Sequence, residues 1–85
     1  MKYIWSTHAW NDYLYWQETD RKTVKRINAL IKDISRNGND GIGKPEPLKY
    51  ELSGYWFRRI TDEHRLVYKY TDDALYLAMC RYHWI

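Results

Sequence analysis

One carboxylate, one imidazole and a set of cations gather in the second half of this sequence. Glu46 stands between Pro45 and Pro47, whose rings fix φ and stiffen the chain around it. Lys49 follows, Arg58 and Arg59 adjoin in a β-like run, Arg65 opens the next run, and His83 closes the last. Together these residue types suit a cleavage of RNA that uses side chains alone. Such a reaction needs a base for the 2′-hydroxyl proton and an acid for the departing 5′-oxygen. It also needs cations fixed around the phosphorus, where negative charge builds up. The 2′-hydroxyl would confine the activity to RNA. Each residue also has a plain structural reading. Glu46 could be a solvated loop carboxylate, the arginines partners of Asp62, Glu63, Asp72 or Asp73, and His83 a frayed end. Strand parity leaves open which arginines share a face with His83, because the hairpin registers are not readable.

Other chemistries find less support. His8, His64 and His83 fall on separate elements and a single cysteine builds no thiolate cluster, so no metal site is expected. Gly41-Ile42-Gly43 does not stand between a strand and a helix, as a phosphate loop must. Cys80, in an apolar run, reads as a small core residue rather than a nucleophile. No cofactor is expected.

The elements that would position these residues follow from spacing and punctuation. Lys2 to Trp5 is rich in β-formers and reads as a strand. Ser6 offers a cap oxygen, and Trp10, Tyr13, Leu14 and Gln17 recur at helical spacing to about Glu18. Thr19 or Asp20 caps a second helix, in which Val24, Ile27, Leu30, Ile31 and Ile34 form one apolar stripe. Arg21, Lys22, Lys25, Arg26 and Lys32 face elsewhere, as a solvated basic surface. The glycine-rich run from Asn37 to Gly43 stops this helix, and Lys44 to Lys49 reads as a stiff extended loop. Ser53-Gly54 marks a turn. Runs from Tyr55 to Ile60, Arg65 to Tyr70 and Ala74 to Tyr82 are joined by connections short enough for hairpins. The expected fold is α+β: a short N-terminal strand, two helices on one face, then an antiparallel three-strand β-meander.

At 85 residues the chain allows one domain, 1–85, with a small core. Hydrophobic content of 45% beside 29% charge rejects disorder. One cysteine excludes an internal disulfide and fits a reducing compartment. No apolar run spans a membrane, and no signal peptide is evident, so the expected location is the cytoplasm. Aromatic residues make up 18% of the chain, enough either to stack bases or to fill a core. A net charge of +3 is too small to grip nucleic acid by phosphate attraction alone.

Several segments carry a resemblance to a known family. They are Trp5-Ser6, the run Tyr13 to Asp20, Gly43 to Lys49, Leu52-Ser53-Gly54, Arg58 to Thr61, His64 to Tyr68, and Cys80 to His83. Over essentially the whole chain the sequence resembles the YoeB branch of the RelE-like mRNA interferases, the toxins of YoeB–YefM toxin–antitoxin pairs. The resemblance implies a microbial-ribonuclease-like fold and ribosome-dependent cleavage of mRNA in the A site. It also implies a homodimer, a YefM-type antitoxin as partner, and neither metal nor cofactor. Matched residue by residue, Glu46 takes the general base's place, His83 the general acid's, and Arg65 that of the arginine stabilising the transition state. Lys49 and Arg59 match supporting phosphate-binding cations. Trp84 stands where the family usually has tyrosine, which keeps a stacking face but loses the hydroxyl, and Ile85 follows it. Two rival readings are a non-catalytic RNA-binding module, and a degenerate toxin that only binds its antitoxin. Glu46, Arg65 and His83 argue against the first, and Trp84 is the one feature that favours the second.

Overall fold

Two helices lie on one face of a mixed sheet of five strands. The computed structural model describes residues 1–82. In chain order the elements are β1 (Lys2–Trp5), α1 (Thr7–Thr19), α2 (Arg21–Asn37), β2 (Glu46–Pro47), a 3₁₀ turn (Tyr50–Leu52), β3 (Trp56–Arg59), β4 (Arg65–Tyr70) and β5 (Ala74–Met79). Among the described residues no helix is long and apolar enough to cross a membrane.

The helix boundaries follow local chemistry. The Ser6 hydroxyl accepts the Ala9 N–H at 2.9 Å, capping α1, and donates to the Ala78 carbonyl on the sheet at 2.8 Å. Asp20 serves both helices. Its N–H closes α1 on the Trp16 carbonyl, and its carboxylate accepts the Lys22 and Thr23 N–H groups that open α2. Hydrogen bonds from Thr23 hold the Asp20 carboxyl below its ordinary pKa. Gly38 ends α2 at φ 64, the left-handed region that glycine enters without strain.

The sheet runs β1-β5-β4-β3-β2. Its centre, β3-β4-β5, is the expected antiparallel meander. Both edges add to that expectation. β1 lies parallel to β5, with Lys2 opposite Ala74 and Trp5 opposite Leu77. A parallel pair needs a long crossover, which the intervening helices and strands supply. On the other edge, Glu46–Pro47 is a strand rather than a loop, pairing antiparallel with β3. Proline lacks an N–H, so an edge position is where a strand tolerates it.

The core fills the space between helices and sheet. Ile27, Leu30 and Ile34 of α2 meet Leu66, Tyr68, Leu75 and Leu77 of the sheet, with Ala9 and Trp16 from α1 and Cys80 closing one end. Burying each such aliphatic side chain contributes roughly 1.5–3 kcal/mol. Burial also pushes the Cys80 thiol up to about 12, with the Asp12 charge adding to the effect. A thiol so held is inert.

Candidate active site

Strand register decides which charged residues meet. Residues paired across a sheet share a face, and neighbours along a strand alternate. Trp56, Leu66 and Tyr68 pack into the helix-side core. Phe57 and Arg59 therefore point to the outer face, away from the helices. Glu46 is opposite Phe57, and Arg65 is opposite Arg59. Glu46, Arg59 and Arg65 thus share one face of three adjacent strands.

Arg58 points the other way and is fully buried. Its Nη1 donates to Asp33 Oδ2 at 2.5 Å and to the Ile42 carbonyl at 3.0 Å. Its Nη2 donates to the carbonyls of Gly38 and Asp40 at 2.8 and 3.0 Å, and Nε to the Tyr68 hydroxyl at 3.2 Å. The Arg58 guanidinium holds the Asp33 carboxyl below its usual range. Arg58 is a structural clamp on the loop after α2, and its ion partner is Asp33 rather than Asp62, Glu63, Asp72 or Asp73.

Arg65 is held differently. Only 5% of its surface is exposed. Its Nη1 donates to the carbonyls of Thr61 at 2.7 Å, His64 at 3.1 Å and Asp62 at 3.3 Å, so backbone acceptors orient it rather than a carboxylate. Its Nε is buried without a hydrogen-bond partner among the described residues. Glu46, Lys49 and Arg59 are exposed, Lys49 at the start of the 3₁₀ turn and Arg59 with its carbonyl accepting from Arg26 at 3.2 Å. His83 and Trp84 lie outside the described residues.

A groove of about 710 Å³ is lined by Ser6, His8, Leu52, Tyr55, Val67, Ala78, Met79 and Tyr82, of which Val67 is paired with Phe57 and Met79 on the outer face. Its lining is largely apolar, and Tyr55 and Tyr82 offer rings at its wall. Among the described residues no group of three His, Cys, Asp or Glu side chains is placed to hold a metal ion.

Sequence reasoning missed the residues that hold the chain leading to position 83. The Cys80 N–H donates to Asp12 Oδ2 at 3.0 Å, and its carbonyl accepts from Trp16 Nε1 at 2.8 Å. The Tyr82 N–H donates to His64 Nδ1 at 2.7 Å. One signal could have found Asp12: it lies on the same face of α1 as the buried Ala9 and Trp16, an acidic residue on an apolar stripe. His64 had no such signal.

The architecture is that of a group of small bacterial toxins. A solved YoeB dimer from Staphylococcus aureus superposes with a TM-score of 0.94 at 50% identity, covering 99% of this chain and 98% of that one. A YoeB–YefM complex from the same organism gives 0.92 at 49% identity, with 99% and 98% covered. The curated toxin YoeB of Escherichia coli K12 is 66% identical over 84 residues, 99% of this chain and 100% of that protein. The family model for the YoeB-like toxin of bacterial type II toxin–antitoxin systems matches residues 5–84, and the chain belongs to that family.

Proposed function

We propose that this toxin is a ribosome-dependent endoribonuclease that cuts mRNA in the A site. The observation that carries the reading is the register that brings Glu46, Arg59 and Arg65 onto one face. Glu46 takes the proton of a 2′-hydroxyl, and the oxygen attacks the adjacent phosphorus. The bond from phosphorus to the 5′-oxygen breaks with its electron pair on that oxygen, and His83 supplies the proton. The products are a 2′,3′-cyclic phosphate and a 5′-hydroxyl. Arg65 enters this reaction already oriented: Nη1 is committed to turn carbonyls, and the guanidinium so fixed supplies positive charge for the phosphate as negative charge develops on it. Lys49 and Arg59 hold neighbouring phosphates as exposed cations. The groove with Tyr55 and Tyr82 accepts unpaired bases, and Trp84 adds a stacking face.

The solved relatives extend the reading to partners. One is a dimer and another is in complex with YefM. This toxin is accordingly a homodimer in our proposal, held by a YefM-type antitoxin that covers the outer-face cations. Single-turnover cleavage on programmed ribosomes tests the mechanism. Glu46→Gln and His83→Gln should each lower the rate by roughly 10²–10⁴-fold while staying folded and binding antitoxin. Near wild-type rates in both variants would overturn the mechanism.

A further inference from the structure

The backbone approaching residue 83 is held chiefly by side chains from elsewhere. At Cys80 the N–H and the carbonyl are taken by Asp12 and Trp16, both on α1. At Tyr82 the N–H goes to His64 Nδ1, and the carbonyl accepts the Arg65 N–H at 3.0 Å. The two anchors touch: the His64 ring meets Trp16 edge-on at 4.7 Å. Arg81, between Cys80 and Tyr82 in the chain, has its guanidinium 3.5 Å from the centre of the Tyr15 ring and 4.6 Å from that of Tyr82. Tyr82 has φ 72, a conformation that a bulky residue keeps only when its surroundings impose it.

His64 is the least expected of these anchors. The ring is half-buried and turns Nδ1 toward the chain end, where it satisfies a backbone donor. Its Nδ1 accepts a backbone N–H, so in this arrangement the ring is neutral and its proton sits on Nε2. One peptide bond beyond the anchored Tyr82 is His83. A general acid works only within hydrogen-bond reach of the oxygen it protonates. We propose that His64 is a positioning residue for RNA cleavage, its Nδ1 fixing the Tyr82 amide and so the direction in which the chain reaches residue 83. The inference rests on the reading of His83 as the acid. Asp12 and Trp16 fix the same segment one step upstream.

A merely structural role predicts lost stability with an unchanged rate; a positioning role predicts a lost rate. His64→Phe keeps a ring against Trp16 and removes the acceptor. His64→Asn restores an acceptor oxygen near the place of Nδ1. In single-turnover cleavage on programmed ribosomes, His64→Phe should slow the chemical step by roughly 10–100-fold with ribosome affinity unchanged, since displacement by about 1 Å carries that penalty. His64→Asn should recover most of the rate. A wild-type rate in His64→Phe, or an equal loss in His64→Asn, overturns the proposal. Glu46→Gln and His83→Gln run alongside: if both are slow while His64→Phe is not, positioning fails and the ribonuclease stands. If both are fast, the ribonuclease reading fails. A further measurement needs no variant. Imidazole ¹⁵N spectra of the wild-type protein at neutral pH should show His64 as the Nε2–H tautomer, and an Nδ1–H tautomer would overturn the proposal independently of activity.

Discussion

Arg58 carries its charge with none of its surface exposed, and every guanidinium nitrogen has a partner. Buried ion pairs can often be replaced by apolar residues without loss, because desolvation offsets their attraction. This pair differs, since the same guanidinium also serves the carbonyls of Gly38, Asp40 and Ile42. Asp33→Ala, which leaves the cation buried without its counter-charge, should cost about 3–5 kcal/mol. Adding Arg58→Met should not restore stability, because the loop carbonyls then lose their donor. Urea unfolding measures both, and a double variant as stable as wild type would refute the clamp. The pair also sets an acid dependence. Asp33's folded pKa lies below its unfolded value. Its stabilisation is therefore complete above the ordinary carboxylate range and disappears as pH falls through the lowered folded value. Asp33→Asn should lose less stability than wild type between neutral and acid pH.

At the scale of elements, the loop between α2 and β2 acts as a built part rather than a passive linker. Gly41 has φ 131, and a Cβ there would stand 2.0 Å from Asp33 Oδ2. Gly41→Ala should therefore both strain the backbone and push the carboxylate off Arg58. Asp20→Ala removes a cap from an exposed helix junction, where water can replace the lost acceptor. Thermal unfolding should thus show a larger loss for Gly41→Ala than for Asp20→Ala; the reverse order would mean that the loop is not anchored. Both helices were legible in the sequence because apolar periodicity and caps are local signals. The Glu46–Pro47 strand was not. Two prolines in three residues read as a loop, and only the free edge of β3 turns that stiff segment into a paired strand.

The whole molecule has a net charge of +3, which gives little general attraction to phosphates. If the ribosome supplies the positioning that charge does not, purified toxin should cut free RNA poorly at physiological salt and translated mRNA well. Efficient cleavage of naked RNA would contradict that dependence. The sequence by itself determined the order of the helices and of every strand but Glu46–Pro47, the apolar stripe of α2, a cap at Ser6 and another at Thr19 or Asp20, and a supply of residues able to move protons or hold phosphates. Those properties belong to single residues and short spacings. Only the tertiary structure decided that β1 runs parallel to β5, that His64 and Asp12 grip the chain before residue 83, and that adjacent arginines part company. Arg58 turns to the core while Arg59 joins Arg65 and Glu46 on the outer face. The physical reason is that strand side chains alternate at every residue, so a register slip of one would exchange the buried clamp with the candidate site.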